Sequence, residues 1–154
     1  MATTGLDLFD KTIHTTNIWL KEIMGQIGPD RQTAWKVLTT VLRALRDRLT
    51  PELASHLSAQ LPLIVRGGYY DLYQPGHERP DVHTEDQFID EVRRGLSDSR
   101  GVDPRDAIRA VFMVLDEHIS KGEVEKVRQA LPKSIRDLWP ENIAMRPPMM
   151  KAGL

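Results

Sequence analysis

An all-α protein is the expectation for this 154-residue chain: two tandem, sequence-related three-helix units packed into one helical bundle with pseudo-twofold symmetry. Three observations predict it. The first is periodicity, since Leu38, Val41, Leu42, Leu45 and Leu49 recur at helical spacing and so share one face. The second is punctuation. Thr50-Pro51-Glu52 sets a capping hydroxyl before a proline at the first helical position, the stripe Leu53, Leu57 and Leu61 follows, and Pro62 ends it. A proline inside the helix would lose a hydrogen bond and clash with the preceding turn, at roughly 3 kcal/mol. The third is recurrence. Seventy positions on, Val41 is answered by Val111, Leu45 by Leu115, Leu49 by Ile119, Leu57 by Val127 and Val65 by Ile135. The punctuation recurs too, with Thr50 opposite Ser120, Leu61-Pro62 opposite Leu131-Pro132 and Arg66 opposite Arg136. At an offset of sixty-nine, His14-Thr15 matches His83-Thr84, Trp19-Leu20 matches Phe88-Ile89 and Glu22-Ile23 matches Glu91-Val92. Each unit therefore has three main helices and a short terminal turn; one alone would bury a thin core, and two together a better one.

The first unit covers 5–66. Phe9, Ile13, Leu20 and Met24 fall on one face, flanked by Trp19, Ile23 and Ile27, which predicts a helix from Leu6 to Met24 ending near Gly25. His14-Thr15-Thr16-Asn17 interrupts it with weak helix formers and reads as an exposed polar turn or a second start capped by Asn17, against a functional site as the competing reading. Gly28-Pro29-Asp30 ends this element and caps a helix from Arg31 to Leu49, whose Arg43, Arg46, Asp47 and Arg48 mostly face away from the leucines. A third helix follows Thr50. Residues 67–82 then cross to the second unit, with Gly67 and Gly68 freeing the backbone and Glu78 to Val82 as linker.

The second unit covers 83–140. Thr84-Glu85-Asp86-Gln87 has the form of a capping box, Ser97 to Gly101 reads as a loop, Asp103-Pro104 caps the next helix, and Ser120-Lys121-Gly122-Glu123 opens the one that ends at Leu131-Pro132. Lys133 to Trp139 makes a last turn that Pro140 stops. Residues 141–154, including Met145-Arg146-Pro147-Pro148-Met149-Met150, lack periodicity and are expected to be an extended tail.

Composition narrows function more than it assigns it. With 21 basic and 22 acidic residues the formal net charge is −1, so there is no bulk attraction to nucleic acid, anionic membrane or acidic substrates. The absence of cysteine excludes disulfides, thiolate catalysis and cysteine-based metal or iron-sulfur sites, and fits a cytosolic chain. Met1 to Gly5 has neither the basic start nor the apolar run of a signal peptide, and no stretch is long enough to cross a membrane. A cytoplasmic location without membrane contact is therefore expected.

Searching for chemistry returns few leads. No hydrolase elbow, phosphate-cradling glycine loop or dinucleotide fingerprint occurs, and Arg66-Gly67-Gly68 has no clear following helix N-terminus to hold a phosphate. Helical bundles build metal sites from glutamate and histidine three apart. Here Glu52 and His56 are four apart, their repeat equivalents are Gly122 and Lys126, and Glu117 and His118, being adjacent, point in different directions. Arg43, Arg46 and Arg48, and Arg93-Arg94, are the best basic patches, but acids interleave each and a solvated helix face explains them. No catalytic residue, cofactor, metal or nucleic acid is therefore expected.

The segments Phe9-Asp10-Lys11-Thr12, Thr15-Thr16-Asn17-Ile18-Trp19-Leu20-Lys21-Glu22, Leu45-Arg46-Asp47-Arg48-Leu49, Gln60-Leu61-Pro62 and Arg66-Gly67-Gly68-Tyr69-Tyr70 resemble, in this order, a bacterial family known as domain of unknown function 2267. The resemblance extends over roughly Leu8 to Pro140. It implies an all-helical cytosolic bacterial protein with no assigned activity and no catalytic residue to carry over.

The stretch of distinctive chemistry is Arg66 to His77, which holds Tyr69, Tyr70 and Tyr73, all the tyrosines of the chain. Tyrosine joins a large apolar face to a hydroxyl and suits contacts with one dry side. Arg66, Tyr69, Tyr70, Tyr73 and Trp139 are the candidate partner-binding residues. The competing reading is that the rings, with Trp139 opposite Tyr69, plug the seam between the units. Arg66 and Arg136 can equally serve helix C-terminal carbonyls or the acids Asp71 and Asp137. The expected function is a non-enzymatic binding or scaffolding protein of the bacterial cytoplasm in a stress-related or regulatory setting, with a protein partner or self-association. The alternatives are a helical-bundle metal or small-ligand protein and a nucleic-acid accessory factor.

Overall fold

Helices begin where a short polar side chain can take up an otherwise unpaired amide. Asp30 accepts from the Thr33 amide at 2.8 Å, Thr50 from Leu53 at 3.2 Å, Asp103 from Arg105 at 2.7 Å and Ser120 from Glu123 at 3.3 Å. The structure, a computed structural model, describes residues 4–75, 85–99 and 101–140. Eight helices and no strand occur among the described residues: α1 Asp7–Ile27, α2 Arg31–Arg46, α3 Pro51–Ser58, α4 Leu63–Tyr70, α5 Glu85–Gly95, α6 Pro104–His118, α7 Lys121–Ala130 and α8 Lys133–Arg136. The expected linker from Glu78 to Val82, the residues His77, His83 and Thr84, and the tail 141–154 lie outside the described residues.

The long helices α2 and α6 pack on each other and organise the rest. Around them, α1, α4 and α5 lie on α2, while α1, α5 and α7 lie on α6; α3 meets α7, α1 meets α4, and α5 meets α8. One apolar cluster runs through both halves of the chain, including Trp19, Ile23, Leu38, Leu42, Phe88 and Phe112.

Four expectations need correction. First, α1 is unbroken through His14 to Asn17 and continues past Gly25, ending where Gly28 takes a positive φ of 51° and donates to the Met24 carbonyl at 2.8 Å. Its buried side carries Thr12, Thr16, Trp19, Leu20 and Ile23, whereas Phe9 and Ile13 stay 46% and 39% exposed. Thr12 is tolerated on this side because it accepts from the Ile64 amide at 3.2 Å, capping α4 from another helix, whereas the buried Thr16 hydroxyl has no partner among the described residues. Asn17 accepts from the Arg31 guanidinium rather than capping a new start. Second, α2 ends at Arg46 rather than Leu49, although Leu49 still enters the core.

Third, Gly67 and Gly68 do not loosen a crossing segment. They lie inside α4, so the first half has four helices and the helix runs through the expected boundary at residue 66. Gly68 is there for close approach: a Cβ would come within 2.8 Å of Thr39 Cγ2 and 3.1 Å of the Trp35 ring. Fourth, Arg46 does not face solvent. It is buried, and its guanidinium donates to the carbonyls of Tyr69 and, at 2.7 Å, Asp71, while Arg43 donates to Gly68 at 2.9 Å. Two cations of α2 thus satisfy the end of α4, whose last carbonyls have no partners within the helix.

Candidate functional site

The tyrosines form a connected stack, with Tyr69 edge-on to Tyr70 at 5.1 Å and Tyr70 against Tyr73 at 5.7 Å. Tyr69 has none of its surface exposed and donates its hydroxyl to the Ala54 carbonyl at 2.8 Å, tying α4 to α3. Burial, reinforced by Tyr70 and Tyr73, holds that hydroxyl far above the ordinary phenol range. Tyr70 donates to Ser58 at 3.1 Å, and the Arg46 guanidinium lies 5.2 Å from the centre of the Tyr73 ring. The rings that keep partial access to solvent are Tyr70 and Tyr73. Trp139 joins a different cluster, stacked on Phe112 at 4.1 Å and 5% exposed. Arg66 donates to the Ser58 and Leu61 carbonyls at 2.8 and 3.0 Å, closing the end of α3, and Asp71 pairs instead with Arg43 at 3.4 Å.

Most of the basic residues considered for nucleic acid are engaged within the fold, Arg94 being exposed. Besides Arg43 and Arg46, Arg48 donates to the Ala44 carbonyl at 2.6 Å and sits over the Phe88 ring, and Arg93 pairs with Asp90. Among the described residues no three histidine or carboxylate side chains gather as a metal site requires, and no helix is long and apolar enough to cross a membrane.

A cleft of about 600 Å³ opens between α1, the turn joining α3 to α4, and the end of α6. Its lining combines Leu8, Leu61, Leu63 and Trp19 with Lys11, Thr12, Thr15, Gln60, Arg66 and His118. His118 contacts Glu22 at 2.8 Å and stacks on Trp19 with centroids 5.4 Å apart, which pins α6 to α1. On the other side Gln60 accepts from the Ser120 amide at 2.9 Å and donates to its hydroxyl at 3.1 Å, pinning the turn after α3 to the start of α7. Periodicity could not find this place, because its walls come from positions as far apart as Leu8 and His118. A signal did exist: Thr15 to Trp19 and Gln60-Leu61-Pro62, two of the motifs that carry the family resemblance, meet here.

Beside the cleft lies exposed apolar surface. Leu6 just before α1, Leu8, Phe9 and Ile13 from its first turns, and Leu63 and Ile64 from the start of α4, are all exposed. The Thr12 bond to the Ile64 amide brings the two sets together.

No curated protein matches the chain in sequence. The model of a family described as "Uncharacterized conserved protein (DUF2267)" matches residues 16–138, a span that holds all of the core but Trp139, the tyrosine stack and most of the cleft. The chain belongs to this family.

Proposed function

We propose that this chain is a non-enzymatic binding protein of the bacterial cytoplasm that docks an amphipathic helix of a protein partner on the apolar surface of α1 and α4. The observation that carries the reading is the exposure of Leu6, Phe9 and Ile13 in succession at spacings of three and four. That spacing is how one helix packs along another. Scattered exposed leucines need no explanation, but a contiguous group at one end of a bundle does. The partly accessible Tyr70, Tyr73 and Arg66 belong to a second contact area, with Tyr69 supporting it from within, while Trp139 lies in the separate Phe112 cluster and is not part of it. The absence of cysteine fits the cytoplasmic setting.

The same proposal treats the chain as two related units about a pseudo-twofold axis. Its support is reciprocal packing: α1 lies on α6 as α5 lies on α2, while α2 with α6 and α3 with α7 are the pairs such an axis maps onto themselves.

The test is the double variant Phe9→Glu, Ile13→Glu. Both side chains leave solvent-exposed positions, so the fold and melting temperature stay near those of the wild type. Native mass spectrometry of protein purified gently from its own cells shows an added protein mass on the wild type, which the double variant loses. A bare wild-type monomer, or a double variant that keeps the added mass, overturns the reading.

A further inference from the structure

We propose that the cleft between α1, the α3–α4 turn and the end of α6 binds a small amphipathic anion, a carboxylate or phosphate head carried on a short alkyl body. This goes beyond the protein contact above, since neither Phe9 nor Ile13 lines the cleft. The volume of about 600 Å³ lies within the range of small-molecule pockets. The lining contains the permanent cations Lys11 and Arg66 and no carboxylate. His118 is engaged by Glu22 and by the face of Trp19, so the positive charge on offer comes from the other two.

Donor capacity points the same way. Lys11 makes no hydrogen bond or ion pair among the described residues, and Arg66 spends Nε and Nη2 on carbonyls while Nη1 remains unpaired. Trp19 is 2% exposed, lines the cleft, and its indole Nε1 is enclosed without an acceptor. The Trp19 ring, as part of the cleft wall, reports on whatever enters the cleft. The remaining wall of Leu8, Leu61 and Leu63 suits an alkyl body rather than a fully polar ion.

The test follows the Trp19 indole resonance by NMR, assigned with Trp19→Phe, during titration with octanoate, octyl phosphate or octanol. The indole signal moves saturably with at least one of the two anions and not with octanol. Tighter binding of octanoate assigns a carboxylate head, and tighter binding of octyl phosphate a phosphate. Lys11→Glu, an exposed change that leaves the fold intact, weakens the anion by about tenfold or more. Phe9→Glu leaves the affinity unchanged, so failure of this site and failure of the protein contact are read separately. Equal binding of octanol, an unaltered affinity in Lys11→Glu, or no indole shift at millimolar anion overturns the proposal.

Discussion

Gly67 and Gly68 stand side by side in α4 and answer to different constraints. A Cβ on Gly67 meets nothing within 4 Å, whereas one on Gly68 runs into Thr39 and Trp35 of α2. Gly68→Ala should therefore cost about 1–3 kcal/mol through overpacking. Gly67→Ala should gain up to about 1 kcal/mol from helix propensity. Urea denaturation of the two variants checks both signs, and equal effects would contradict the close approach of α4 to α2. Tyr69 gives a second case. Its folded hydroxyl is pushed above the unfolded value, so its contribution is complete below pH about 10 and is lost as the pH rises beyond it. Tyr69→Phe should lower stability by about 1 kcal/mol at neutral pH and flatten the alkaline loss seen in wild-type melting curves. From sequence, the grouping of the tyrosines was legible but the burial of Tyr69 was not, because its acceptor is the Ala54 carbonyl of another helix. The role of Thr12 was opaque for the same reason: its acceptor function shows only when the Ile64 amide, fifty-two residues on, appears as a partner.

The helices that could be read from sequence were those whose ends are written locally. Asp30, Thr50, Asp103 and Ser120 cap within three residues, and each start was anticipated. The end of α4 is written elsewhere, in Arg43 and Arg46 of α2, and there the glycines and tyrosines suggested a loop. Arg46→Met should consequently fray α4 at its C-terminal end. The loss of charged hydrogen bonds to Tyr69 and Asp71 costs about 1.5–3 kcal/mol. Hydrogen exchange should quicken at the amides of α4 and of residues 71–73 more than in α6. Uniform acceleration over all helices would contradict the clamp. Helix α1 shows the opposite failure: its periodicity was legible, but not which part of the stripe the other helices cover. Its Thr12-to-Ile23 side is enclosed and Phe9 and Ile13 are left outside.

Across the molecule, a single apolar cluster joins helices from both halves, with α2 against α6 at its centre. Unfolding should then be one cooperative transition in which the calorimetric and van't Hoff enthalpies agree. A chain of residues 5–75 alone should lack a cooperative melt, because it loses Phe88, Phe112 and Leu115 from its core. Two separate transitions would contradict the shared core. The all-helical architecture was legible because local periodicity and caps agree at α2, α3, α6 and α7. The cleft and the exposed surface were not, since both arise from how α1 sits against α4 and α6. The most direct measurement of the binding role is in-cell photo-cross-linking with a photoreactive residue in place of Phe9, and in place of Lys21 as an exposed control on the same helix. A covalent adduct with a second protein chain at position 9 and none at position 21 is the predicted result. No adduct at position 9, or the same adducts at both, would contradict it.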